Sequence, residues 1–93
     1  GFSFLQNNAD RVKGAVIDGV APTFENIASG DYPVSRSLFF YVKTNHIGVV
    51  PGIVEYAEEF VDQAAQDGPL ADIGLIPGGD ADQDAMQDAL NSL

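Results

Sequence analysis

YPVSRSLFFYVK, Tyr32 to Lys43, is the stretch whose reading decides the fold. From Leu38 to Val42 every residue is apolar and four of the five are aromatic or β-branched, with no polar residue at alternate positions. A half-exposed antiparallel strand alternates, whereas a strand covered on both faces does not. The run therefore predicts a buried strand at residues 34–43 with helices above and below it, an α/β arrangement. It is too short to cross a membrane. Gly30, Asp31, Tyr32 and Pro33 form a turn ahead of it, and because proline lacks an N–H donor, pairing is expected to begin near Ser35.

Working outward, the 93 residues allow one domain at most. A chain of that size buries only about 60–65% of the surface its unfolded form exposes, so the core should be thin. With no cysteine, neither a disulfide nor a thiolate metal site can reinforce it. The net charge of −10 is unevenly placed. Arg11, Lys13, Arg36 and Lys43 balance Asp10, Asp18, Glu25 and Asp31, so the whole excess of acid lies after Pro51. That half repels nucleic-acid phosphates and anionic lipid, and neither is an expected partner. The start at Gly1, with no charged n-region or apolar h-region behind it, reads as a piece of something longer.

Either side of the central run the pattern alternates helix and strand. Phe2, Leu5, Ala9 and Val12 fall at helical spacing and predict a helix closed by Gly14. Ala15–Asp18 reads as a brief strand and Gly19–Pro22 as a loop. Thr23 is placed to cap a short helix from Phe24 to Ser29, with Gly30 in the left-handed position after it. Beyond the central strand, Thr44–Val50 is a loop holding the sole histidine, His46, and Pro51 marks a first helical turn. Ile53, Val54, Ala57, Phe60, Val61 and Ala64 then line one face of a helix whose other face carries Glu55, Glu58, Glu59, Asp62 and Gln66. Asp67, Gly68 and Pro69 end it. Ile73–Ile76 suggests a short strand, and Asp80 with Gln83 a capping box for a last helix lined by Ala81, Ala85, Met86, Ala89, Leu90 and Leu93. So few strands would leave bare sheet edges.

No motif supports catalysis, a metal or a cofactor. Pro77–Asp80 (PGGD) precedes a helix but lacks the Walker lysine and the dinucleotide glycine spacing, and reads as a turn and cap. His46 has no second histidine or cysteine, and Ser35 and Ser37 have no nucleophile-elbow context. Asp80, Asp82 and Asp84 alternate as in a calcium loop, but its glycine and final glutamate are missing, so they read as charge at a helix N-terminus. The acidic face from Glu55 to Asp62 reads as solvated. Arg36 stands apart: a guanidinium leading into an apolar strand must reach solvent, pair with a carboxylate or point at a ligand.

GVAPT (Gly19–Thr23), ENIASG (Glu25–Gly30) and YPVSRSLFFYV (Tyr32–Val42), followed by the acidic helix Ile53–Gln66 and GLIP (Gly74–Pro77), resemble the C-terminal part of the phosphate-binding, PstS-like substrate-binding proteins of ABC transporters. The resemblance implies a partial lobe of a type II periplasmic-binding-protein-like fold, a single α/β fragment over residues 1–93. Residues 34–43 would be the strand crossing between two lobes, with ligand in the cleft. It further implies inorganic phosphate as ligand of the full-length protein, an N-terminal lobe and a transporter permease as partners, and a periplasmic or extracytoplasmic location. Ser35 and Arg36, beside the crossing, become the candidate cleft-facing ligands. The family's main phosphate-binding turns match nothing in these residues. The alternative expectation is a structural domain that forms a homodimer, repairing its sheet by exchanging elements.

Overall fold

The computed structural model describes residues 1–93, and in it the run from Ser35 to Lys43 belongs to no helix, turn or sheet. The order of elements is α1 (Phe2–Asn7), α2 (Phe24–Ser29), a single 3₁₀ turn at Thr44–His46, α3 (Ile53–Gln63), α4 (Pro69–Asp72) and α5 (Asp80–Asn91). No sheet forms, which overturns the expected α/β lobe and all three of its strands. The reason is that a strand is completed by its neighbour: residues 33–42 contribute to none of the 45 backbone–backbone hydrogen bonds, because no other segment offers a ladder.

The other two expected strands became turns. Ala15–Asp18 leads into a tight reversal at Asp18 (φ 52°) and Gly19 (φ 77°), closed by Ile17 N–H to Val20 O at 3.0 Å and Val20 N–H to Ile17 O at 2.9 Å. Two consecutive positive φ values are the signature of a type I′ turn, and Asp-Gly is among the pairs that adopt it most readily. Ile73–Ile76 is the close of α4: the Gly74 and Leu75 N–H groups reach back to Ala71 O (3.1 Å) and Leu70 O (2.9 Å), with Gly74 at φ 102°. That double bond pattern is a Schellman ending, which uses the glycine to satisfy the last carbonyls of a helix.

The helices follow the sequence more closely. α2 has the expected bounds, with Thr23 Oγ1 accepting from Asn26 N–H at 3.2 Å and Gly30 left-handed at φ 81°. α1 is shorter than its apolar stripe: Asn8 turns its amide back to Phe4 O at 2.9 Å and the chain leaves the helix before Val12. Asparagine offers the backbone that alternative to continuing helix. α3 starts at Ile53 after a left-handed Gly52, so Pro51 lies just outside it. At α5 the cap sits one residue earlier than expected, Gly79 N–H donating to Asp82 Oδ2 at 3.2 Å.

The core lies between α3 and α5 and is as thin as the chain length implies. Its buried apolar side chains are Ala57 and Val61 on α3 and Ala64 at the C-cap of that helix, all small. The Gln83 amide of α5 ties the two helices by donating to Ala64 O at 3.4 Å. The radius of gyration is 15.9 Å, against about 12 Å for a well-packed domain of this length. Val61→Ala removes two carbons from this core at about 0.8 kcal/mol each. The expected outcome is a loss of about 1.5 kcal/mol in urea unfolding followed by far-ultraviolet circular dichroism, with both helices melting together.

Candidate functional site

The candidate residues Ser35 and Arg36 follow a short scaffold built around Asn26. The Asn26 side chain donates to Ala21 O at 2.9 Å, its N–H is held by Thr23, and its carbonyl accepts the Tyr32 N–H at 3.0 Å. Tyr32 in turn donates its hydroxyl to Ala15 O at 2.9 Å, across the Asp18–Gly19 reversal. One asparagine and one tyrosine thus gather the reversal, α2 and the entry to the central run at a single place. Sequence reasoning singled out neither residue. The signal for Asn26 was available, since it lies third after a threonine cap, but a tyrosine seventeen residues from its acceptor leaves no trace in a local pattern.

From this anchor the chain passes Pro33 and presents Ser35 and Arg36 to solvent. Ser35 Oγ donates to Tyr32 O at 2.8 Å, which fixes the hydroxyl and leaves its lone pairs outward. Arg36 is exposed. Its guanidinium carries five donors in a planar fork, the geometry that suits a carboxylate or phosphate. The two residues adjoin, yet a hydroxyl already spent as a donor and one guanidinium are too few to enclose an anion. Nothing in this arrangement activates Ser35: its proton goes to a backbone carbonyl. His46 is exposed in the 3₁₀ turn, where its N–H donates to Lys43 O at 2.9 Å. No group of three or more acidic or histidine side chains has the geometry to hold a metal ion.

Beyond Arg36 the run is unusually bare. Leu38, Phe39 and Tyr41 are exposed, and the one observed ring contact of the segment is Phe40 against Phe60 of α3, edge to face at 4.7 Å between centroids. The acidic face of α3 (Glu55, Glu58, Glu59 and Asp62) borders a groove shared with Gln83 and Asp84 of α5, and is open to solvent as its pattern implied. No helix is long and apolar enough to cross a membrane.

Comparison with known proteins bears on this segment. The chain is 32% identical over 76 residues to the phosphate-binding protein PstS of Bacillus subtilis, a match that takes in 82% of the chain and 24% of the relative. The chain therefore spans about a quarter of that protein's length. A match of 76 residues within 93 has to contain residues 18–76, so Ser35, Arg36 and the whole central run lie inside it. No known family profile and no solved structure matches the chain.

The unpaired backbone has a direct signature. In dilute solution the amides of residues 34–42 should exchange with solvent at nearly unprotected rates, while those of Ala64 and Tyr32, held at 3.0 Å, are slowed. Hydrogen exchange read by mass spectrometry or NMR checks this. Protection across 34–42 equal to that of α3 would contradict an unpaired segment.

Proposed function

We propose that these residues are the C-terminal part of a phosphate-binding protein that delivers phosphate to an ABC transporter outside the cytoplasm, and that they carry no catalysis of their own. The observation that carries this reading is the likeness to a phosphate-binding protein across residues that include Ser35 and Arg36. In this reading Arg36 contacts the anion or a carboxylate that closes on it, and Ser35, held by Tyr32, adds a short polar contact beside it. The remaining anion donors come from chain beyond these residues, because the site here is open and has too few of its own. The permease and the other lobe are partners of that longer protein.

The substitution Arg36→Ala tests the assignment. A charge-assisted hydrogen bond contributes about 1.5–3 kcal/mol, one to two decades of affinity. In a longer protein that contains these residues, calorimetry should show phosphate binding about ten- to a hundredfold weaker. Unchanged phosphate affinity with lowered thermal stability would make Arg36 a structural residue. The 93-residue chain alone should show no phosphate heat, with or without the substitution. Phosphate hydrolysis lost on changing Ser35 or His46 would overturn the non-catalytic reading.

A further inference from the structure

An aspartate precedes a glycine twice in the chain, at Asp18–Gly19 and at Asp67–Gly68, and the fold treats the two pairs oppositely. We propose that Asp18 is a site of spontaneous backbone modification, converting to isoaspartate through a cyclic imide with the Gly19 nitrogen, and that the fold protects Asp67 from the same reaction. The proposal does not rest on the phosphate reading and would survive its failure.

The chemistry needs only water. The Gly19 nitrogen attacks Cγ of the Asp18 carboxylic acid, and the amide proton and the carboxyl hydroxyl leave together as water, closing a five-membered succinimide. A second water then opens the ring. Breaking the bond from nitrogen to Cγ restores aspartate, whereas breaking the bond from nitrogen to the Asp18 main-chain carbonyl carbon leaves the backbone running through the side chain, which is isoaspartate. One water leaves and one returns, and nothing is oxidised or reduced. In a folded chain the rate therefore depends on a free attacking N–H, on room around the glycine and on access of water.

The first pair meets all three conditions through the turn itself. In a type I′ reversal the N–H groups that close the turn belong to the flanking residues, here Ile17 and Val20. The Gly19 N–H lies at the tip and donates to no acceptor. No atom stands within 4 Å of the place a Cβ on Gly19 would take, and both residues of the pair are exposed. Asp18 is also the one non-glycine residue at positive φ, 52°, a conformation that an L-residue holds at a cost, so leaving it for the imide gives up little. These features belong to four consecutive residues and do not depend on how far the chain extends on either side.

The second pair has the same two residues and a different environment. The Gly68 N–H donates to Ala65 O at 2.9 Å, so the proton that must leave is held. Gly68 is buried, and a Cβ there would lie 2.6 Å from Gln63 O and 3.1 Å from Ala65 O. The turn of the peptide plane that brings nitrogen to Cγ has no room until this segment opens locally.

Incubation of the 93-residue chain at mildly acidic pH, under conditions where circular dichroism shows the helices intact, tests the difference. Peptide mapping with electron-transfer fragmentation, which distinguishes isoaspartate from aspartate, follows both positions with time. One hydrogen bond's worth of protection predicts that isoaspartate accumulates about three- to tenfold faster at residue 18 than at residue 67. In urea, with the chain unfolded, the two rates should converge. Equal rates in the folded chain, or a lead at residue 67, overturn the proposal. So does a gap that persists in urea, which would place the difference in the flanking residues and not in the fold.

Discussion

The backbone polar groups of residues 33–42 have no partner within the chain, and most other features of the molecule follow from that. A peptide group in water loses little by staying unpaired, because solvent replaces the missing bond. Burying the same group without a partner costs about 1–3 kcal/mol. The segment can therefore remain in the structure only while its backbone stays wet, and wet backbone carries its side chains into solvent with it. That is why Leu38, Phe39 and Tyr41 are exposed although their composition suits an interior. Phe40 recovers a ring contact, on Phe60, and Val42 is half-buried, so the run meets the helical half near its end.

The helical half is held by different means. α3 and α5 meet through small side chains, Ala57, Val61 and Ala64, which permit close approach but remove little area from water. An apolar surface stabilises by about 25 cal/mol per Å² buried, so a core of two alanines and a valine contributes only a few kcal/mol. The polar contacts between Gln66, Gln83 and the Gly78–Asp80 turn accordingly carry a real share of the geometry: Gln66 Nε2 reaches Asp80 Oδ1 at 3.1 Å, and Gln83 Nε2 bridges Ala64 O and Gly78 O at 3.4 Å each. The first half has no such packed pair of helices. It is organised instead by Asn26 and Tyr32 through hydrogen bonds, with Phe2 set edge-on to Phe24 at 6.2 Å.

What the sequence made legible divides along the same line. Features that depend on residues three or four apart were readable: the Thr23 cap, the left-handed Gly30, the stripe of α3 and the acidic start of α5. The strands were not, since β-propensity describes how a side chain fits a paired surface and says nothing of whether the pair exists. Two of the three misreadings had local correctives. Asp18-Gly19 is a reversal signal strong enough to displace a four-residue strand, and Gly74 followed a proline-initiated turn of helix at the spacing of a Schellman ending. The central run had none; its residues describe a buried strand whether or not a neighbour is present. Of the candidate site, Arg36 stood out by its chemistry and Ser35 through the family resemblance; Asn26 beneath them had a local signal in its spacing from Thr23, whereas Tyr32 acts through a contact seventeen residues away that local spacing does not encode.

The charge distribution bears on whether an anion can approach Arg36 at all. A chain of net charge −10 repels phosphate at long range, but the ten surplus acids lie after Pro51, the four acids of residues 1–50 being balanced by four cations. Phe40 touches Phe60, next to Glu59, and Arg36 lies four residues before Phe40. At about 3.3 Å per residue the guanidinium can stand roughly 13 Å from that contact. The screening length at physiological ionic strength is about 8 Å, so the acidic half can be largely hidden from a ligand at Arg36 while still opposing it in dilute buffer. The separation depends on the run being drawn out from the helices. A segment collapsed onto α3 would bring its cation among Glu55, Glu58, Glu59 and Asp62 and turn the exposed guanidinium into an internal ion pair. The run stays drawn out from α3, unpaired, and leaves Arg36 exposed to solvent.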